Sequence, residues 1–281
     1  MKPDTLNARD DSDSEVDSLF DSYSPIRTQF ESISIGGSTS TESCPKSYQG
    51  TTDTNEIYPA QRIPPPIPGL FFLATLTIPP SLEDTLLEST SKYFSPGTST
   101  SPRINQAMLF GRHTPEGSGL PPFLDELIPI LSSLLKPHLP NQINSLLFPR
   151  DDTTGPCTSR QAILNYYDPG EGITPHVDLL RRFGDGIFGI SLGSGTVMVF
   201  QHAEKKKRYD LYLPRGSIII LTGEARYEWT HGIEGREVDY VEDRKPFNQG
   251  GPTTYSWIVR TTRTSITVRW LLPGADVVGG D

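Results

Sequence analysis

The chain has 281 residues, a net charge of -9 at neutral pH, 25 glycines, 26 prolines and two cysteines. It contains no run of about 18 apolar residues, and its first residues lack the apolar segment of a secretory signal, so neither a membrane span nor a secretory leader is expected. The two cysteines, Cys44 and Cys157, argue against a disulfide framework and favour a reducing compartment, the cytoplasm or the nucleus.

The first 60 residues differ in composition from the rest of the chain. They are rich in Ser, Thr and Asp and carry 11 acidic and 4 basic residues, so most of the net negative charge lies there. Such a segment cannot bury enough apolar surface to offset its loss of chain entropy. We therefore predict a disordered acidic tail over residues 1–61, one domain over residues 62–275 and a flexible C-terminus over residues 276–281. The remaining chain is close to neutral, which is compatible with a nucleic-acid substrate.

The first half of the predicted domain contains two helical patterns and one strand. Ser81 is placed as the N-cap of a helix that runs to about Phe94. Residues 105–111 are typical of a strand. Apolar residues at helical spacing between Leu120 and Leu135 predict a helix on the outside of a sheet, kinked or divided by Pro129.

From Ser159 onward the pattern changes to short strands separated by glycine-containing turns. Many short strands with turn signals predict a β-sandwich or barrel. Ala225–Thr230 is predicted to be a short helical turn that delivers His231, and Glu237–Ser256 to be a surface insertion. The predicted strands are Gln161–Tyr166, Ile187–Leu192, Thr196–Phe200, Tyr209–Leu213, Ser217–Leu221 and Ser265–Leu271.

Three residues form a candidate metal site. His176 and Asp178 are two apart, so in a strand their side chains point to the same face. His231, far downstream, is the third candidate ligand. Two imidazoles and one carboxylate with open coordination positions suit a non-haem Fe(II) oxygenase, although zinc accepts the same ligands. The remaining histidines, His113, His138 and His202, are predicted to lie on the surface.

Arg263 and Arg269 lie six residues apart in a segment rich in β-branched residues. An even spacing places both side chains on the same face of a strand. Two arginines on the inner face of a buried strand require anions. A dicarboxylate such as 2-oxoglutarate would supply one of these anions through a contact between a guanidinium and a carboxylate.

Taken together, these motifs resemble the AlkB family of Fe(II)/2-oxoglutarate-dependent dioxygenases. The chain has Asn-x-Tyr at Asn165 and Tyr167, then His-x-Asp, the later histidine and Arg-x5-Arg, in the order of the family. The resemblance is greatest to members that hydroxylate a modified wobble uridine in tRNA. It implies a mainly β fold with flanking helices, a double-stranded β-helix (jelly roll) that forms the oxygenase core.

The resemblance also implies the cofactors and the roles of the site residues. Fe(II), the cosubstrate 2-oxoglutarate and O2 are expected, with the metal held by His176, Asp178 and His231. Asn165, Tyr167, Arg263 and Arg269 would bind 2-oxoglutarate, and Arg269 would also support Asp178. No catalytic residue beyond the metal ligands is expected.

The implied reaction is hydroxylation or oxidative demethylation of a nucleic-acid base, for which a modified tRNA nucleoside is one candidate. A dioxygenase acting on a protein side chain and a catalytically silent jelly-roll binding module are the alternatives. The expected partner is RNA or DNA containing a modified base, with no membrane, and the chain is expected to be a monomer. Arg181 and Arg182, close after the metal ligands, are candidate substrate contacts. The basic run Lys205–Arg208 is either a solvated turn or a phosphate contact.

Overall fold

A computed structural model describes residues 58–112, 119–149, 159–243 and 253–275 of the chain. None of the helices in these ranges is long and apolar enough to cross a membrane. In chain order the elements are β1 (Leu70–Thr77), α1 (Pro80–Ser91), β2 (Gln106–Arg112), α2 (Pro122–Leu135), α3 (Asn141–Leu147), β3 (Ser159–Tyr167), β4 (Ile173–His176), β5 (Ile187–Leu192), β6 (Thr196–His202), β7 (Lys207–Leu213), β8 (Ser217–Leu221), α4 (Gly223–Tyr227), β9 (Thr230–Ile233), β10 (Val238–Glu242), β11 (Tyr255–Val259) and β12 (Arg263–Trp270).

Two antiparallel sheets form the body of the domain. The larger has the strand order β1-β8-β5-β12-β3-β2, and the smaller has the order β4-β9-β6-β7. Side chains from both sheets line one internal cavity, so the sheets face each other across it. Sheet neighbours that are distant in sequence, such as β3 and β12, give the crossed connections of a double-stranded β-helix. The prediction of a mainly β jelly roll with flanking helices is confirmed.

The helices cover the outer face of the larger sheet. Leu124, Leu127 and Leu131 of α2 are fully buried and share one apolar cluster with Leu164 of β3 and Ile190 of β5. The 3.6-residue period places these leucines on one stripe of the helix, which explains why α2 packs on the sheet through them. The predicted outer helix is therefore confirmed. Pro129 lies inside α2, which continues through it as one element, and α3 is an additional short helix that was not predicted.

The predicted N-cap at Ser81 is wrong. The helix α1 begins at Pro80, and Pro79 occupies the N-cap position with no side-chain hydrogen bond. Proline has a fixed φ close to the helical value and lacks an N–H, so it is well suited to the first helical position. The sequence Pro-Pro therefore sets the start of the helix two residues before the position that an N-cap at Ser81 would give.

The prediction that Glu237–Ser256 is only a surface insertion is wrong for the part of it that the structure describes. The strands β10 and β11 form a two-stranded hairpin, and Asp239 and Val241 on its inner face are completely buried. Both carboxylate oxygens of Asp239 accept hydrogen bonds from Arg260, at 2.7 Å each. This buried ion pair fixes the base of the hairpin to the body of the domain. Residues 244–252 lie outside the described residues.

The folded domain begins before the predicted boundary at residue 62. The Ala60 N–H donates to the Tyr240 carbonyl and the Gln61 N–H to the Asp210 carbonyl, both at 2.8 Å. Ala60 is also buried against the outer face of the smaller sheet. These backbone bonds make residues 60 and 61 part of the domain. The predicted tail before residue 58 and the predicted C-terminus over residues 276–281 lie outside the described residues.

Candidate active site

The three predicted metal ligands come together at one end of the smaller sheet. His176 is the last residue of β4 and pairs directly with His231 of β9, and the centroids of their imidazole rings are 4.6 Å apart. The His231 Nε2 atom is 3.8 Å from Oδ2 of Asp178. Asp178 lies two residues after the end of β4, so the prediction that it shares a strand with His176 is wrong. The chain beyond β4 nevertheless brings its carboxylate to the two imidazoles.

A glycine next to His231 allows β4 and β9 to approach each other. A Cβ atom added to Gly232 would lie only 2.8 Å from the backbone N and Cα of Pro175. Pro175 cannot donate to a ladder hydrogen bond, which is acceptable because β4 is an edge strand. The sequence Thr-His-Gly-Ile therefore fits a close approach of the two backbones, and this approach sets His231 opposite His176.

Both imidazoles have environments that suit metal binding. The Nδ1 atom of His176 lies 2.8 Å from the Thr174 carbonyl, so this nitrogen carries the proton and Nε2 has the lone pair. Burial lowers the pKa of His176, against the opposing effect of the Thr174 carbonyl. Burial, with smaller contributions from His176 and Arg226, holds the pKa of His231 well below its usual range. Neutral imidazole is the form that binds a metal ion.

The side chain of Asp178 is held by an arginine that was predicted to support it. The carboxylate is 4% exposed and forms an ion pair with Nη1 of Arg269. The Nε atom of Arg269 donates to Oε1 of Gln161 at 2.9 Å, and its guanidinium lies 3.9 Å from the ring centroid of Phe183. The Arg269 side chain is therefore fixed by a neutral partner on one side and an aromatic ring on the other while it pairs with Asp178.

Arg226 of α4 holds the backbone around Asp178, a role that the sequence did not indicate. Its side chain is 1% exposed and donates to four carbonyl oxygens of the segment that follows β4. These are the carbonyls of Asp178 at 2.9 Å, Leu179 at 3.3 Å, Phe183 at 3.1 Å and Gly184 at 3.4 Å. Because a guanidinium has five N–H donors in a fixed plane, one buried side chain can fix the whole turn that carries the carboxylate.

The other arginine of the pair, Arg263, lies in the same cavity wall. It is 6% exposed, its Nε donates to Oγ of Ser191 at 2.8 Å, and its guanidinium lies 5.2 Å from the ring centroid of Tyr167. Burial lowers the pKa of Arg263. Its buried Nη1 atom has no hydrogen-bond partner. A buried guanidinium with an unused donor is a site for an anion.

Asn165 also lines this cavity and is oriented by a neighbour on the edge strand. Its Oδ1 atom accepts a hydrogen bond from Nε2 of Gln106 at 2.8 Å, which leaves the amide NH2 as a donor. Gln106 and Ser191 were not identified from the sequence, because each becomes relevant only through the strand pairing that places it beside a predicted residue. The predicted residues Asn165, Tyr167 and Arg263 are thus brought together.

The cavity fits the cofactors that the motifs imply. Two neutral imidazoles and a carboxylate form the donor set of a non-haem Fe(II) centre. Arg263 provides a buried cation for a carboxylate of 2-oxoglutarate, in a wall that also contains apolar residues such as Ile219 and Leu221. When bound, Fe(II), 2-oxoglutarate and O2 supply the oxidation chemistry, and the protein supplies binding, orientation and the exclusion of water.

Arg181 and Arg182 are not among the residues that line the cavity. Arg181 is exposed, and the Arg182 guanidinium lies over the ring of Phe110 at 5.8 Å. In the basic run, Lys205 pairs with Glu224 at 2.5 Å. The same run ends at Arg208, which pairs with Asp210 and Glu234 at 2.8 Å each. These carboxylates pair with the first and last residues of the run, which favours the solvated turn over a phosphate contact.

The surface prediction for the remaining histidines has a mixed outcome. His138 is exposed, as predicted, whereas His202 is buried against Trp229, and its prediction is wrong. His113 lies outside the described residues. His202, Glu224 and Glu228 form a second group with the spacing of metal ligands. The Lys205 ammonium lies against both glutamates, at 2.5 and 3.8 Å, and so provides the positive charge that this group requires.

Comparison with known proteins agrees with this geometry. The profile of the 2OG-Fe(II) oxygenase superfamily matches residues 91–269, which is more than half of the chain and includes all the predicted site residues. The chain belongs to the 2OG-Fe(II) oxygenase superfamily. It is a dioxygenase whose cofactors are Fe(II), 2-oxoglutarate and O2, as predicted.

The relatives of this oxygenase include AlkB homologues, which confirms the resemblance to that family. It is 43% identical over 115 residues to mouse "tRNA (carboxymethyluridine(34)-5-O)-methyltransferase ALKBH8", spanning 39% of this chain and 17% of the mouse protein. It is 38% identical over 148 residues to "Uncharacterized protein L905" of Acanthamoeba polyphaga mimivirus, spanning 51% and 61% of the two chains. It is 28% identical over 152 residues to "N6-methyladenosine RNA demethylase ALKBH" of Cryphonectria parasitica, spanning 47% and 65%. The oxygenase therefore spans less than two thirds of each relative.

Proposed function

We propose that this AlkB-type oxygenase oxidises a base in a nucleic acid, with a modified tRNA nucleoside as the first candidate substrate. The observation that carries the proposal is the cavity itself. A buried arginine, Arg263, with an unused donor shares that cavity with two neutral imidazoles and an aspartate. Support for a nucleic-acid substrate comes from the names of the mouse and fungal relatives, which act on tRNA and on RNA.

Each predicted metal or 2-oxoglutarate residue receives a role in this proposal. His176, Asp178 and His231 hold Fe(II). Arg263 binds the distal carboxylate of 2-oxoglutarate, and Asn165 and Tyr167 donate to the same molecule. Arg269 would support Asp178 and a carboxylate of 2-oxoglutarate. The protein holds the reacting C–H bond of the substrate near the metal and keeps bulk water out of the cavity.

The reaction on the base takes one of two courses. Hydroxylation of an N-methyl group leads to loss of that methyl group as formaldehyde, whereas hydroxylation of a carbon substituent leaves a stable alcohol. The mass of the product separates the two, because the first removes a methylene unit and the second adds an oxygen atom. The protein is proposed to act as a monomer in the cytoplasm or the nucleus.

The decisive experiment is anaerobic reconstitution of the full chain with Fe(II) and 2-oxoglutarate, followed by addition of O2 and a panel of modified tRNAs and methylated RNA and DNA oligonucleotides. Stimulated release of succinate together with a changed product mass is expected for at least one of them. Stimulation by a protein substrate alone would assign the oxygenase to side-chain hydroxylation. A protein that holds no iron and does not turn over 2-oxoglutarate would be a silent binding module instead.

A further inference from the structure

An exposed phenyl ring lies on the inner face of the larger sheet, outside the cavity. Phe110 of the edge strand β2 pairs with Gln161 of β3, and Gln161 in turn pairs with Arg269 of β12. Directly paired residues point to the same face, so Phe110 shares its face with the arginine that binds Asp178. Adjacent strands lie ~5 Å apart, which places Phe110 about 10 Å across the sheet from Arg269.

Phe110 and the segment that carries Arg182 to it form a surface with apolar and cationic groups, here called the Phe110 shelf and defined by Phe110, Leu180, Arg181 and Arg182. The ring of Phe110 is 46% exposed and the side chain of Leu180 is 53% exposed. Arg182 lies over the ring of Phe110, and its backbone is anchored because its carbonyl accepts from the Leu272 N–H at 2.9 Å. Arg182 thus links Phe110 to a backbone position that is fixed by the end of the C-terminal strand.

The Phe110 shelf carries two arginines whose charge is not balanced by any carboxylate in the part of the chain that the structure describes. Among the described residues no ion pair is formed by Arg181 or Arg182, and the buried Nε atom of Arg182 has no hydrogen-bond partner. Arg103, another arginine of the domain, by contrast pairs with Asp168 at 3.0 Å and with Glu171. The shelf therefore presents positive charge to solvent beside an exposed aromatic ring.

We propose that the Phe110 shelf binds an unpaired nucleobase that neighbours the reacting one, with the base stacked on Phe110 and its phosphates against Arg181 and Arg182. This inference rests on the proposed nucleic-acid substrate. Every base has a π-face that stacks on an aromatic ring, and arginine contributes both phosphate contacts and stacking. A distance of about 10 Å from Arg269 suits a base one or two nucleotides away from the one in the cavity, since successive nucleotides of one strand are spaced by several ångströms. An exposed ring in contact with Arg182, next to a second arginine in the chain and with no described carboxylate paired to either, matches the charge of a polyanion better than that of a peptide.

The test measures binding of a fluorescein-labelled, unmodified, uridine-rich single-stranded RNA to the full chain loaded anaerobically with Fe(II) and 2-oxoglutarate. Phe110→Ala is expected to weaken binding about fivefold or more, and Phe110→Trp to retain or strengthen it. Arg182→Gln is expected to lower the dependence of affinity on salt. Trp257→Ala is the matched control, because Trp257 is a 59% exposed aromatic residue on the β10–β11 hairpin, and it should leave binding unchanged.

The outcomes separate the shelf from the proposed function. Unchanged RNA affinity in Phe110→Ala, or an equal loss in Trp257→Ala, overturns the shelf. If the parent protein converts 2-oxoglutarate without substrate but does not bind this RNA, the shelf proposal falls, whereas the proposed nucleic-acid substrate is decided by the panel of modified tRNAs and methylated oligonucleotides. If Phe110→Ala leaves RNA affinity unchanged but abolishes binding of a peptide that adds as a strand to the β2 edge, the shelf serves a protein substrate. The nucleobase proposal is then wrong. Melting temperatures of all variants show whether each remains folded.

Discussion

Arg269 and Asp178 form a buried ion pair at the metal end of the cavity, with side chains only 5% and 4% exposed. A pair of this kind is costly to break from one side, because the remaining charge stays buried without its partner. Arg269→Met should therefore lower the free energy of unfolding of the metal-free protein by about 3 to 5 kcal/mol. Arg269→Lys, which keeps the charge but loses the planar fork, should lose less. Urea unfolding of the three proteins measures the difference, and equal stability of Arg269→Met and the parent would contradict the pairing.

The histidine prediction concerns the metal directly. His176→Ala removes one of three proposed protein ligands, so it should abolish Fe(II) retention and turnover of 2-oxoglutarate while the fold remains. Bound iron per chain and succinate release are the measurements. The matched control is His138→Ala, because His138 is exposed and outside the cavity. Near-normal iron content in His176→Ala would remove this residue from the metal site.

Arg263 tests cosubstrate binding separately from metal binding. In Arg263→Leu a bound carboxylate loses its charged fork, and charge-assisted hydrogen bonds contribute about 1.5 to 3 kcal/mol each. The affinity for 2-oxoglutarate should fall by about a hundredfold, as measured by anaerobic calorimetry. The affinity of Arg263→Lys for 2-oxoglutarate should lie between those of the parent and Arg263→Leu. The metal affinity should stay the same in both variants. Unchanged 2-oxoglutarate affinity would mean that another residue binds the carboxylate.

Arg226 positions Asp178 without contacting the proposed metal. In Arg226→Met four carbonyl oxygens, most of them buried, lose their donor, and we expect the free energy of unfolding to fall by about 3 kcal/mol or more. Metal affinity should fall about tenfold as well, because the turn that carries Asp178 is no longer fixed. Cobalt binding followed by visible absorption, in variants kept well below their unfolding temperature, separates the two effects. Partial recovery of both quantities is expected in Arg226→Lys, and full metal affinity in Arg226→Met would limit Arg226 to a folding role.

Two truncations locate the start of the domain. Deletion of residues 1–57 should leave the melting temperature unchanged, since the composition of this segment predicts that it does not pack against the domain. Deletion of residues 1–61 should lower stability by about 2 to 4 kcal/mol, because it removes four backbone hydrogen bonds that Ala60 and Gln61 make with β7 and β10. Differential scanning calorimetry of both proteins tests the boundary. A destabilised first truncation would show that the acidic segment packs on the domain.

The sequence predicted the longer strands well because their residues carry the signal themselves. Ile187–Leu192 and Ser217–Leu221 have the same bounds in the prediction and in the structure. Both are runs rich in β-branched and apolar residues between glycine-containing turns, and both are buried. The two arginines and the His-x-Asp motif were likewise found because each combines an unusual residue type with a fixed spacing.

The elements that were missed or given wrong bounds depend on partners far away in the sequence. The strands β4 and β9 have four residues each, and Pro175 in β4 would normally argue against a strand. They form because each pairs with the other across a long stretch of chain. Arg226 shows the same limitation for a side chain, since a charged residue in a short helix is usually exposed. Only the turn after β4, which folds around the Arg226 side chain, provides the four carbonyl oxygens that allow this side chain to be buried.

The ion pair between Asp239 and Arg260 makes the hairpin beyond it a suitable position for an insertion into the domain. His231 and Arg263 are each fixed by their own strand pairs, and the hairpin that connects them is closed at its base by this pair. The entropy of closing a loop grows only with the logarithm of its length. A reporter domain or an affinity tag inserted between Asp243 and Thr254 should therefore leave the spacing of the two halves of the active site intact, which would make this the preferred position for labelling the working enzyme.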